Sequence, residues 1–212
     1  MKTRELIEAL AADNGARAIS TSRALALASA PGIAIALTLH ISVLGLRPQL
    51  FSLLGDPRIL FKIALTILLA LLSFRVVLRV AQPGARVRGP ALRLWLVPAL
   101  LAAAILAELL AVPEGLWRQK LVGSNALFCL GSIPLLAAAP LAGTLLALRQ
   151  GAPERPALAG AAAGIFAGAI GAACYATHCP DDSPLFVAAW YSLAIGFVAA
   201  AGALAGRRWL RW

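Results

Sequence analysis

A chain of 212 residues with 61% hydrophobic and only 13% charged side chains, at a mean hydropathy of +0.85, carries too little polar surface to stay in water. That excludes a soluble globular domain. The net charge of +10 is not accompanied by a basic patch interleaved with stacking aromatics, so it points to membrane topology and an anionic lipid surface rather than to nucleic acid.

Residues 1–23 form a polar N-terminal segment. Within it Leu6, Ile7 and Leu10 share one face at helical spacing while Arg4, Glu5 and Glu8 lie away from it, which predicts a short amphipathic helix. Such a helix is marginal alone, since about 12–15 residues are needed in water, so it should order on a surface. Glu5, Glu8 and Asp13 would be repelled by an anionic leaflet, which favours a protein partner.

Six apolar runs follow, at 24–46, 59–78, 91–112, 124–148, 157–177 and 185–206. Each meets the roughly 20 helical residues that a hydrocarbon core of about 30 Å requires. The first run starts late and is long, which predicts a retained helix rather than a cleaved signal. The linkers are too short for a further domain, so the expected organisation is 1–23 as a cytoplasmic segment and 24–212 as one six-helix transmembrane domain.

Fourteen of the 19 basic residues fall in the N-terminal segment, the second and fourth linkers and the C-terminus; the rest are Arg47, Arg58, Lys62, Arg118 and Lys120. By the positive-inside rule both termini are cytoplasmic. Within the spans, Gly160, Gly164 and Gly168 recur every four residues on one face of the fifth, and Gly202 and Gly206 repeat the spacing on the sixth, so close backbone approach is expected there. Pro31, Pro98, Pro134 and Pro140 should bend their spans, and Ser183 followed by Pro184 reads as the cap and first turn of the sixth.

Few other polar groups remain at membrane depth. On this topology His40 lies near the outer end of the first span, Glu108 about one turn inside the outer end of the third, and Cys129 in the outer part of the fourth. His178, Cys179, Asp181 and Asp182 occupy the outer linker between the fifth and sixth. Thiols facing an oxidising compartment pair, bind a soft metal or react, so Cys129 and Cys179 are candidates for a disulfide or for a thiol site with His178. No CxxC spacing decides between these. Cys174 falls within the fifth span and reads as a small buried apolar residue. An ionisable group inside a span usually serves a purpose, so Glu108 is a candidate proton relay unless a hydrated vestibule or a partner such as His40 satisfies it.

The start Leu6-Ile7-x-x-Leu10-Ala11-x-Asp13, the Gly45-Leu46-Arg47-Pro48 exit of the first span, and His178-Cys179-Pro180-Asp181-Asp182-Ser183 followed by Phe186-Val187 and Trp190-Tyr191 resemble the NrsF family of six-span inner-membrane anti-sigma factors. The likeness runs nearly end to end. It implies that the cytoplasmic N-terminus binds an extracytoplasmic-function sigma factor, with Leu6, Ile7, Leu10 and Asp13 as binding residues. It also implies that Cys129 and Cys179 govern release under metal or oxidative stress, with no obligatory cofactor beyond a transient metal ion at Cys129, Cys179 and His178. One departure is Gln82, where the family often carries arginine.

The expected function is therefore a bacterial inner-membrane anti-sigma factor in contact with lipids and not with nucleic acid. The alternative is a small transporter or ion-handling protein using Glu108, His40 and the His178–Cys179 pair. An enzyme is not expected, because the chain has neither a nucleophile with its base nor an HExxH pair.

Overall fold

The computed structural model describes Thr3, Arg4, Glu8, residues 21–48, 50–53 and 55–211, and among these it contains helices and turns but no strand. Thr3, Arg4 and Glu8 are helical and exposed. Leu6, Ile7, Leu10 and Asp13 lie outside the described residues.

Six long helices carry the fold: α1 (Thr21–Leu39), α2 (Pro57–Val80), α3 (Leu96–Ala111), α4 (Ala126–Gln150), α5 (Pro156–Ala176) and α6 (Ser192–Trp209). With their short helical extensions all six are long and apolar enough to cross a membrane, and their bounds follow the hydropathy runs within a few residues. Local chemistry sets the ends. Asp56 caps α2 by accepting the Arg58 N–H at 2.8 Å, with Pro57 at the first helical position where no donor is needed. Ser183 accepts the Leu185 N–H at 3.3 Å ahead of the sixth span, with Pro184 in the matching place.

Of the four span prolines, Pro31, Pro134 and Pro140 sit inside α1 and α4. Pro98 instead lies in the first turn of α3. Because Pro98 cannot donate to Leu94, the Leu94 carbonyl accepts the Val97 N–H at 3.1 Å, and the third span breaks into Arg88–Arg93 and α3. Two π-helical turns, His40–Leu44 and Val187–Tyr191, were invisible to periodicity and lie at the same end of the bundle. Such insertions re-aim side chains and concentrate at functional sites.

α5 is the hub. In its apolar window 67% of residues are buried inside the protein, against 11% for the span containing α3, which lies at the periphery. Glycine makes this possible: a Cβ on Gly164 would stand 2.5 Å from the Val198 carbonyl oxygen of α6, and one on Gly171 would stand 2.6 Å from that of Ile133 in α4. The seam expected from the repeated glycines therefore joins α5 to α6. α2 closes the other side, where Phe74 and Phe166 meet at 5.2 Å between ring centroids.

Two large apolar clusters stack along the bundle, beside a small one of Ala137, Ala167 and Val198. One joins Leu25 at the start of α1 to Leu210 beyond α6, with Val77 and Leu148, so α1 begins and the last span ends at the same end of the bundle, here called the termini end. The other, at the distal end, gathers Cys129, Ile133, Tyr175, Cys179, Phe186 and Tyr191. Large apolar side chains such as Leu27, Leu106, Leu110 and Leu127 point outward, the inverse of a water-soluble surface.

Candidate functional site

The distal end is plugged by the loop joining α5 to the sixth span. α5 runs on past Ala176 through N–H bonds from His178 and Cys179 to the Tyr175 carbonyl, both 3.0 Å, until Pro180 ends the chain of donors. The carbonyls released there meet Lys62. This lysine, in the second turn of α2, is 0% exposed. Its Nζ donates to the carbonyls of Cys179 at 2.8 Å and Asp181 at 3.3 Å and to Asp182 Oδ1 at 2.5 Å. An ammonium buried without partners would be strongly destabilising, and here two carbonyls and a carboxylate satisfy it.

The rest of the loop is tied to its neighbours by the same logic. Asp182 also accepts Arg47 Nη1 at 2.7 Å, from the segment after α1. The Asp181 carboxylate accepts the backbone N–H groups of Ser124 at 3.1 Å and Asn125 at 2.9 Å, just ahead of α4, and places a negative charge at its positive dipole end. Ser183 donates to Glu108 Oε1 at 3.3 Å, and Glu108, only 5% exposed, takes Arg58 Nε at 2.9 Å and Nη2 at 2.8 Å on its other oxygen.

The partners of Glu108 are thus Arg58, fifty positions away, and at 3.9 Å Lys120, and not His40. His40 instead bonds Thr177 Oγ1 through Nε2 at 2.9 Å. Thr177 spends its own proton on the Cys174 carbonyl at 2.8 Å, so His40 donates and its Nδ1 is left without a partner among the described residues. Glu108 and His40 therefore serve separate contacts, one to the plug's end and one to its beginning.

The thiols lie beneath this plug. Cys129 and Cys179 are both fully buried, share one apolar cluster, and lie within electrostatic reach of each other; Cys174 belongs to the same cluster, as a small buried residue should. Burial pushes the Cys179 thiol up from its ordinary value, with the Lys62 ammonium opposing, so the thiol is neutral near pH 7. The hydroxyls of Tyr175 and Tyr191, in the same cluster, find no nitrogen or oxygen partner among the described residues and face the Cys179 sulfur.

His178 does not complete a ligand set with the thiols. Its Nδ1 donates to the Gly45 carbonyl at 3.1 Å, and its ring lies 6.0 Å between centroids from both Phe128 and Tyr175. Among the described residues no group of three or more His, Cys, Asp or Glu side chains is arranged to hold a metal ion. Two buried thiols without a third ligand do not fit a resident cation as they stand, since a soft metal fills its coordination sphere.

Sequence reasoning found the cysteines, the loop and Glu108 but missed what locks them, namely Lys62, Arg47 and Arg58. The available signal was a lysine inside an apolar run facing an aspartate pair in the opposing linker.

A six-helix bundle clad in outward apolar side chains, with a buried thiol cluster under an ion-paired loop at one end, defines a small polytopic membrane protein. The chain belongs to the family described as negative regulator of sigma F, NrsF, which matches residues 10–212. It is 37% identical over 218 aligned positions to the anti-sigma-F factor NrsF of Caulobacter vibrioides, and 38% identical over 214 to a protein named probable anti-sigma-F factor NrsF in Azospira oryzae, with all of each chain covered in both cases. The resemblance drawn from the His178–Ser183 stretch is thereby confirmed. No solved structure matches the chain.

Proposed function

We propose that this chain is a bacterial inner-membrane anti-sigma factor that holds an extracytoplasmic-function sigma factor through residues 1–23 and releases it when Cys129 and Cys179 react. The observation that carries the reading is the end-to-end likeness to two proteins named as anti-sigma-F factors. A short segment bearing Leu6, Ile7 and Leu10 on one face, with Asp13 beyond, suits a partner on which it folds. Residues 24–212 serve as the membrane sensor. Arg23, Arg79, Arg149, Arg155, Arg207 and Arg208 flank helix ends that meet at the termini end, which supports a cytoplasmic placement of both termini and a periplasmic placement of the thiols.

The plug supplies the link between thiol and helix. Cys179 and Cys129 are fully shielded from solvent, so an oxidant or a thiophilic metal ion reaches them only if the loop moves. Displacing the Cys179 carbonyl strips a bond from Lys62, and leaving a buried ammonium badly paired is destabilising by about 3–5 kcal/mol. Swinging a two-state protein from 1:99 to 99:1 takes about 5.5 kcal/mol, so the two magnitudes are comparable. α2, with 24 residues and hence about 36 Å long, carries the displacement from Lys62 to the termini end.

Affinity purification from membranes tests the reading. The full chain should recover a sigma factor, and a chain lacking residues 1–20 should not; equal recovery by both, or by neither, rejects it.

A further inference from the structure

At the termini end a cavity of about 500 Å³ opens between α2, the α2–α3 linker and α5, well inside the size range of ligand pockets. Three arginines line it: Arg79 from the last turn of α2, Arg88 from the start of the next helical stretch, and Arg155 immediately before α5. None of the three makes an ion pair among the described residues. The acid on the lining, Glu154, accepts the Gly84 N–H on Oε1 at 2.6 Å, so three arginines against one carboxylate leave the lining net positive. The deeper walls are apolar, with Val76, Leu94 and Ile165 among them, and Leu158 carries that wall outward, being 55% exposed.

We propose that this cavity binds an anionic phospholipid, with its phosphodiester held by Arg79, Arg88 and Arg155 and an acyl chain against the Leu158–Ile165 wall. Unneutralised guanidinium groups, planar and rich in donors, suit a phosphate oxygen pair. Their position, where three spans end together, is the depth of a lipid headgroup, and basic pockets between spans are a recurrent lipid site. A free phosphate would use the rim and leave the apolar wall bare, which is why a lipid is the better occupant. The inference rests on the bilayer reading and is independent of sigma-factor binding.

The test uses the purified full-length chain, without any sigma factor, in native mass spectrometry with phosphatidylglycerol or phosphatidylcholine. Wild type should retain phosphatidylglycerol about tenfold better than phosphatidylcholine, as charge pairing at a membrane surface predicts. R88Q/R155Q should lose that preference, whereas R207Q/R208Q, with the same charge change on α6, should keep it. Inorganic phosphate in excess should not displace the lipid. As a second variant that spares the charges, Ile165→Trp, filling the wall, should weaken phosphatidylglycerol retention. Equal retention of the two lipids, an equal loss in both arginine pairs, or full displacement by phosphate would overturn the proposal.

Discussion

The two ends of this bundle are held by opposite means. At the termini end and along the α5–α6 seam, glycine and alanine let backbones touch, and the arginines stay outside, unpaired among the described residues. At the distal end, charge goes inside: Lys62, Asp182, Arg47, Glu108 and Arg58 sit in or beside the core and satisfy one another around a single loop. Small-residue packing tolerates gradual adjustment, whereas a buried ionic lock either has its partners or does not. A two-state element therefore belongs at the distal end, which also holds the thiols.

Mutations can break or sharpen that contrast. The largest effect belongs to Lys62→Ala, which leaves two carbonyls and part of a carboxylate unpaired; a loss of about 3–5 kcal/mol should appear as a clear fall in thermal midpoint of the purified protein in detergent. If Lys62→Ala unfolds no earlier than Arg207→Ala, the lock is not what holds this end. Gly164→Val attacks the other end by driving a side chain into the Val198 carbonyl, and overpacking of this kind is destabilising by about 1–3 kcal/mol, read in the same assay. Asp181→Ala removes the acceptor of the Ser124 and Asn125 N–H groups just ahead of α4, at about 0.5–1.5 kcal/mol. An unchanged midpoint would assign Asp181 no role in holding the loop.

The smallest effect is one of pH. Because the folded thiol of Cys179 titrates above its unfolded value, the native state holds the proton that the unfolded state gives up. Stability from this group is therefore complete below the unfolded thiol range, about pH 8.5, and declines as pH rises beyond it toward the folded value. Thermal midpoints measured from neutral to alkaline pH should fall more steeply for wild type than for Cys179→Ser. Parallel slopes would remove the burial argument.

What was legible in the sequence was whatever repeats or punctuates. Hydropathy located six spans, Ser183 and Pro184 announced a cap, and glycines at four-residue spacing marked a seam, because these signals are local in the chain. The lock was not legible for the opposite reason. Lys62 and Asp182 stand 120 positions apart and Arg58 and Glu108 fifty, and nothing local to either partner specifies the pairing. Counting Lys62 as one more topogenic charge hid it, and His40 was a candidate partner for Glu108, beside a hydrated vestibule, through shared depth alone, which does not fix position around the bundle. The π-turns escaped because one extra residue in a turn leaves apolar periodicity almost unaltered.

The central claim, that the buried thiols govern release of a sigma factor, is tested most directly by capturing the full-length chain with its bound sigma factor in membranes and adding a thiol oxidant. Wild type should release the sigma factor while Cys129→Ser/Cys179→Ser retains it; release from both, or retention by both, would contradict the account.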